Sequence, residues 1–432
     1  MTNTSPHIIV AVTNDLVTDQ RVDRTCRALS ADGWRVTLVG RRLPHSPELA
    51  PRGYAVHRMR LLFRRSAAFY AEYNIRLFLL LLFSRADAVF SNDTDTLAAC
   101  CLAARLISLF RGVVARLRLR TKNHEEESKS QDIISHSSYF LPLYYDAHEL
   151  FPDVPELQGR PRVQNVWKWI ERKALPYVTQ AFTVSQSVAD EYRRRYGIDM
   201  TVVRNVPERM ENGEWRMENE MPHQDNNATG DMPSQFSILN SQLLYQGALN
   251  IGRGIREMID VLPLLPDCRL VVAGDGDLLE QMKAYAAALP WHDRVEFLGR
   301  VQPDRLRAFT AQATLGLCLL EDLGLNYRYS LPNRIADFAQ AGVPVLATDF
   351  PEIRRVIEEY GTGTLVEPLP AEKKGEAYTQ YIARLAEAVR AALRHWRDMP
   401  EQEYRRRFAR AADELNWQHE QKKLLAAMQQ PR

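Results

Sequence analysis

The residues best suited to chemistry fall in a few short clusters. His148 stands in Tyr145-Asp146-Ala147-His148-Glu149, between two carboxylates at the end of an apolar run. A strand-end histidine so flanked is a candidate active-site group, or a loop imidazole satisfied by its own hydrogen bonds. Gly252-Arg253-Gly254, with Gly247 just upstream, falls between a strand pattern and a helix pattern. Bare backbone N–H groups at a helix start, beside a guanidinium, make a diphosphate cradle. The same residues also make an ordinary turn with a surface arginine. Gly274-Asp275-Gly276 repeats the arrangement after the next strand and is weak alone. In Tyr329-Ser330-Leu331-Pro332-Asn333-Arg334, Pro332 and Asn333 are good helix starters. Ser330, Leu331 and Asn333 then offer amides, while Arg334 opposes the helix dipole unless an anion binds there. Asp93-Thr94-Asp95 has the spacing of a metal-binding carboxylate pair. It also sits where a strand meets a helix, and the helix-cap reading is preferred.

These clusters need rigid elements to hold them. Ile8–Val12 is a short β-branched strand, followed by a helix over Asp19–Asp32 and a strand over Val36–Val39. Helices over Ala71–Arg85, Asp95–Ile107, Val163–Tyr177 and Val188–Tyr196 alternate with strands over Ala86–Phe90, Leu141–Tyr145 and Ala181–Val184. The alternation restarts near Leu243 and continues to a strand over Pro344–Ala347, with a helix over Asn333–Gln340 just before it. Two helices, Tyr378–Arg397 and Glu403–Met428, close the chain. Strand–helix alternation implies parallel βαβ units and open α/β sheets, whose ligands sit at the carboxyl ends of the strands. No Gly-x-Gly-x-x-Gly follows the first strand, so a dinucleotide site there is not expected.

Two polar tracts, Thr121–Ser138 and Glu208–Gln235, interrupt the pattern and read as a surface loop and a linker. The boundaries expected from this are 1–205 for a first domain, 206–240 for a linker, 241–395 for a second domain and 396–432 for a helical tail.

Composition narrows the class. The 432 residues carry 56 Lys+Arg and 54 Asp+Glu, a net of +2, which argues against a nucleic-acid binder. The charge is uneven: residues 1–200 hold 28 basic and 21 acidic groups, and 41–120 alone hold 14 Arg against 5 acids. A solvated surface fits that excess, as does attraction to an anionic partner such as inner-leaflet lipid or a lipid-phosphate acceptor. No apolar run approaches the ~18–20 residues of a membrane span, and no basic leader precedes Ile8. Five scattered cysteines support neither disulfides nor a zinc site, so a cytoplasmic location is expected. Leu102, Leu106, Leu109, Val113 and Leu117 form a helical stripe beside Arg105, Arg111, Arg116 and Arg118. It reads as core-facing, with contact to an anionic membrane the alternative.

Together, DQRVDRTCRALSADGWRVTLVG, ADAVFSNDTDTL, YYDAHELF and FTVSQSVADEY in the first half resemble the family 4 glycosyltransferases. So do LLYQGALNIGRGI, LVVAGDGDLLEQM, VEFLGRVQPDRL and SLPNRIADFAQAGVPVLATDFPEI in the second. These are retaining enzymes of the GT-B fold. The resemblance implies two Rossmann-like domains facing a central cleft, with C-terminal helices crossing back to the first domain and Trp417 as anchor. It implies a nucleotide-diphosphate-sugar donor, no cofactor and no metal. A saccharide or lipid-linked acceptor would bind the first domain, with Asp19, Arg21, Asp93 and Glu149 on that side. Arg253 and Arg334 match the family's diphosphate-holding basic residues, beside Gly247, Gly252, Gly254, Gly274, Ser330, Leu331 and Asn333. Backbone at Arg300 and Val301 would read the base, and His148 would meet the donor sugar. The family often carries Glu-x7-Glu; here Tyr329 stands at the first position and Asp337 at the second, where it can accept ribose hydroxyls. The implied activity is retaining, metal-independent hexosyl transfer in surface polysaccharide or glycoconjugate synthesis. A nucleotide-sugar 2-epimerase of the same fold, or a non-catalytic nucleotide-sugar-binding protein, is the alternative.

Overall fold

The computed structural model describes residues 5–17, 19–44, 46–121, 139–209, 241–370 and 372–429. Both polar tracts therefore lie outside the described residues, apart from Thr121 and the first two positions of the second, Glu208 and Arg209. The chain divides into two compact units: Met1–Val203 with Gln421–Arg432, and Arg204–Glu420.

The first unit runs β1 (His7–Asp15), α1 (Gln20–Ala31), β2 (Arg35–Arg41), β3 (Ala55–Met59), α2 (Ser66–Leu82), β4 (Ala88–Asn92) and α3 (Thr94–Thr121). It continues with β5 (Leu143–Ala147), α4 (Pro161–Ala174), β6 (Gln180–Thr183), α5 (Gln186–Tyr196) and β7 (Thr201–Val202). Its seven strands are all parallel, in the order β3-β2-β1-β4-β5-β6-β7. Strands β4 and β5 are buried at every position, as expected of a parallel sheet covered on both faces. The order reverses between β1 and β4, which opens a crevice at their carboxyl ends.

The second unit repeats the plan with β8 (Ser241–Gln246), α6 (Ile255–Asp260), β9 (Cys268–Ala273), α7 (Leu279–Ala287), β10 (Val295–Gly299) and α8 (Pro303–Gln312). Then come β11 (Leu315–Cys318), α9 (Leu325–Arg328), α10 (Asn333–Gln340), β12 (Val345–Thr348), α11 (Pro351–Tyr360) and β13 (Gly363–Val366). The parallel order is β10-β9-β8-β11-β12-β13, reversing between β8 and β11. Alternate residues of β8 and β9 face opposite cores. Leu243, Tyr245, Leu270 and Val272 pack on one side with Leu385, Val389 and Trp396; Leu244, Val271 and Ala273 pack on the other with Phe338.

The tail differs from the expected two helices. It forms α12 (Gly375–Asp398), α13 (Glu401–Glu414) and α14 (Trp417–Met428). Asn416 breaks the second: its amide donates to Ala412 O and Asp413 O, and its carbonyl oxygen caps His419 N at 2.9 Å. Trp417, expected on the first domain, belongs to the second unit, where its N–H reaches Pro207 O. Residues from Gln421 onward belong to the first unit, and Tyr144 OH meets Met428 O there at 3.5 Å.

α3 departs most from expectation. It runs to Thr121 rather than Ile107, and over Thr94–Leu117 it has the length and mean hydropathy, 1.8, of a membrane-crossing helix. Its buried face is built from Leu97 and small residues: Ala99, Cys100, Ala103 and Ala104. The stripe read as core-facing is instead exposed, from 45% at Leu106 to 65% at Leu109. Small residues allow close packing inward, so the larger side chains of the opposite face are left in solvent.

Trp396 is 2% exposed and packs against Tyr404 and Phe408 at ring distances of 6.1 and 5.8 Å. Trp396→Ala should cost about 3–5 kcal/mol of stability by leaving that cavity. Denaturant unfolding measures it, and a loss under about 1 kcal/mol would contradict the packing.

Candidate active site

In the first unit, a chain of buried charge gathers at the carboxyl ends of β4 and β5. Arg21, in the first turn of α1, grips Asp146 with two hydrogen bonds, Nε to Oδ2 at 3.0 Å and Nη2 to Oδ1 at 2.8 Å. Its Nη1 donates to Val203 O. Both side chains are almost fully buried. Asp146 lies 3.3 Å from His148 Nε2, and Asp93 Oδ2 lies 3.2 Å from His148 Nδ1. Asp93 Oδ1 also accepts the His148 backbone N–H at 2.8 Å. Nε2 is within charge contact of Asp146 but has no aligned hydrogen-bond acceptor.

These contacts set the protonation states. Burial disfavours a charged imidazole, yet Asp93 and Asp146 together raise His148 well above its ordinary pKa. Burial likewise works against the Asp146 carboxylate, and Arg21 with His148 outweighs it, holding that group well below the usual range. Asp95 has no such cation in contact. Burial and the Asp93 charge push it to about 8. Its Oδ2 accepts from the Thr13 hydroxyl.

The cap reading of Asp93 is corrected by this geometry. Its backbone is left-handed, φ 58°, which is rare for a non-glycine residue. That conformation turns the carboxylate onto His148 rather than onto the start of α3. Asp93 and Asp95 therefore serve different partners. Asp19 is an N-cap: it accepts from Val22 N, and from Asn14 Nδ2 at 3.0 Å. Arg21, 4% exposed, spends its guanidinium on Asp146 and Val203. Glu149 is half-buried beside them, and its charge adds to the rise at Asp95.

One buried residue escaped the sequence reading. Glu171 of α4 has no exposed surface and accepts from Thr94 Oγ1 at 2.7 Å and Tyr192 OH at 2.9 Å. It fixes the residue next to Asp93. Its only signal was a carboxylate on the buried face of an amphipathic helix.

In the second unit neither Arg253 nor Arg334 forms an ion pair among the described residues, although the Asp337 charge reaches Arg334. Arg334, in the first turn of α10, is 7% exposed, its guanidinium 4.4 Å above the Tyr245 ring. Its Nη1 is buried with no hydrogen-bond partner. The expected dipole cost is thus partly offset by a cation–π contact. A Cβ at Gly247 would stand 3.1 Å from Arg334 Nη2, and Gly247 has φ 130°. Arg253 lies 4.7 Å over Tyr327, and its Nε is buried without a partner. Gly252 is tightly enclosed, since a Cβ there would meet Leu323 at 2.5 Å and Tyr327 at 2.9 Å. Gly254 caps α6 with φ 69°. Gly274 lets β9 pass Gly247, whose carbonyl oxygen a Cβ would strike at 1.8 Å.

Other expected donor residues are placed less directly. The Ser330 amide donates to Tyr327 O, so it is not an open donor as expected. Leu331 is half-buried against the core, while Asn333 is exposed at the start of α10, which has no side-chain cap. Asp337 accepts from Gln246 Nε2 at 3.2 Å. Arg300 is exposed and 3.7 Å from Asp275; Val301 packs on the core.

Comparison with known proteins fits this geometry. Residues 19–207 match the family model described as Glycosyltransferase Family 4, and 240–388 match that of Glycosyl transferases group 1. The chain belongs to the family 4 glycosyltransferases. No curated protein matches it at the sequence level. Solved structures match its fold: sucrose-phosphate synthase from Thermosynechococcus elongatus has a TM-score of 0.67 at 13% identity, covering 98% of each chain. Anabaena HepE, in complex with UDP-glucose, reaches 0.59 at 13% identity over 98% of this glycosyltransferase and 99% of HepE. The lipopolysaccharide outer core galactosyltransferase WaaB gives 0.57 at 14%, over 98% and 99%. At such identities the likeness shows the GT-B fold alone.

Asp93→Asn should lower the pKa of His148 by removing one of its two carboxylates. A pKa raised on folding contributes stability that is full below the unfolded value and lost as pH rises through the folded one. Imidazole C–H shifts followed by NMR across a pH series measure both forms. Identical titration in the native and variant chains would overturn the charge chain.

Proposed function

We propose that this glycosyltransferase moves a hexosyl group, with retention, from a nucleotide-diphosphate-sugar to a hydroxyl of a saccharide or lipid-linked acceptor. The observation that carries the reading is Arg334: a buried guanidinium with an unpartnered N–H, beside Gly247, which has no side chain to block approach. Buried cations normally have a partner, and a diphosphate supplies one. HepE, solved with UDP-glucose, supports a nucleotide-sugar as that ligand.

Bond cleavage leaves growing negative charge on the diphosphate. Arg253 and Arg334 stabilise it where it develops, with no metal required. The acceptor hydroxyl attacks from the leaving-group side, and the diphosphate oxygen takes its proton. His148, already carrying its proton, orients and polarises the sugar through Nε2–H rather than acting as base. Asp337 meets the ribose, and backbone at Arg300 and Val301 reads the base.

The setting follows from the acceptor. WaaB, an outer core galactosyltransferase, favours surface polysaccharide or glycoconjugate synthesis. A cytoplasmic enzyme held at an anionic membrane face fits the exposed leucines of α3 and Arg116 beside them.

A thermal-shift panel of UDP-, GDP- and ADP-sugars identifies the donor, because binding stabilises the folded state. Arg253→Ala or Arg334→Ala should lower transfer by about 10²–10³-fold without loss of folding. NMR of the product anomer tests retention, and transfer in EDTA tests metal independence. Near-native turnover in both variants, an inverted product, or strict metal dependence would each refute its part of the reading. Flotation with anionic liposomes should weaken in Leu109→Gln/Val113→Gln; flotation indifferent to lipid charge refutes the membrane contact.

A further inference from the structure

A second set of unpaired arginines lies in the first unit. Strands β2 and β3 end at Arg41 and Met59, and the segments that follow them enclose a cavity of about 410 Å³. Arg41, Arg42, Arg60 and Arg64 line it with Phe63 and Phe69. Among the described residues none of the four pairs with a carboxylate. The nearby acids are spent elsewhere: Asp15 on Arg58 at 2.8 Å, and Glu72 on Arg76 at 2.7 Å. Arg41 stacks over Phe69 at 4.7 Å, and its Nε is buried without a partner. Arg42, Arg60 and Arg64 are exposed and Arg41 is half-buried, so the cavity gathers four positive charges that one anion can bridge.

The walls are preformed. Arg42 N donates to Met59 O at 2.9 Å, tying the two segments together. Arg76 Nη1 holds the Arg60 carbonyl at 2.9 Å, and Glu72 accepts from the Leu62 and Phe63 amides. The volume falls within the range of small-molecule sites. Phe63, 53% exposed, gives the cavity an apolar edge, and its chain neighbour Leu62 is 80% exposed. An anion with an apolar part matches both features.

Its position relates it to the charge chain. In the sheet β2 adjoins β1, and β1 adjoins β4, so the cavity and His148 share the carboxyl edge of one unit. The Phe69 and Tyr70 rings, 4.9 Å apart, connect them, and Tyr70 feels the charge of Arg41 as well as those of Asp95 and Glu149. We propose that this cavity is the anion-binding part of the acceptor subsite, taking a phosphate or diphosphate whose apolar substituent lies on Leu62 and Phe63. Its role as an acceptor subsite rests on the glycosyltransfer reading above; its affinity for phosphate does not.

The test uses the full chain carrying Arg253→Ala/Arg334→Ala, so that diphosphate cannot bind between those two arginines. Calorimetry compares geranyl diphosphate, inorganic diphosphate and geraniol, with and without Arg42→Ala/Arg60→Ala/Arg64→Ala. Geranyl diphosphate should bind, weaken with added salt, and lose at least about tenfold in affinity in the triple variant. Tighter binding of geranyl than of inorganic diphosphate supports the apolar contact and assigns a lipid-linked acceptor; equal binding overturns that contact. No binding, affinity unchanged by the substitutions, or geraniol binding as tightly as its diphosphate overturns the proposal. Arg60→Glu, at an exposed position, gives the same readout if the triple variant fails to fold. The nucleotide-sugar melting panel on the native chain is independent: its failure removes the transferase reading and leaves the phosphate site standing.

Discussion

A charge taken out of water must find a partner, and this constraint organises both units. In the first, Arg21, Asp146, His148 and Asp93 alternate in sign, each satisfying the next. The set is nearly complete in itself, which keeps the imidazole protonated and its ring fixed. In the second, Arg253 and Arg334 rest on aromatic rings and meet no carboxylate among the described residues. A ring face offsets part of the cost of burying a guanidinium, yet Arg253 Nε and Arg334 Nη1 stay without a hydrogen-bond partner. One unit thus holds a nearly finished charge network, and the other leaves those two nitrogens without such a partner.

The sheets explain why these groups collect where they do. A parallel sheet covered on both faces has no room for polar side chains along its strands. Its strand ends can hold them, and the reversal of strand order leaves a gap there in each unit. His148 follows β5, Asp93 follows β4, and Gly247 follows β8. The glycines at 247, 252 and 274 let backbone segments approach closely, so the gap in the second unit is lined by main chain and guanidinium.

The outside of the first unit is organised by size. Small residues on α3 let it sit close to its neighbours, and the large apolar residues then point away. The arginine excess over 41–120 is not one uniform surface either. Arg58 and Arg76 are paired with acids, whereas Arg41, Arg42, Arg60 and Arg64 meet around a cavity.

The α/β plan was legible from the chain alone, because β-branched runs and helical periodicity are local signals. So were the glycine turns, the Pro332-Asn333 helix start and the candidacy of His148, Arg253 and Arg334, since turn and cap chemistry is also local. Edge strand β3, the length of α3 and the break at Asn416 were not. They depend on pairing across the sheet, on which helix face finds a neighbour, and on side-chain hydrogen bonds. Only the tertiary structure decided that Asp93 serves His148 rather than a helix end, that Arg21 pairs with Asp146, and that α3 turns its leucines outward. Residue type determines which charge or surface a side chain brings. Folding alone brings Arg21 to Asp146, 125 positions away, and so decides whether that charge is neutralised inside the protein or left for a ligand.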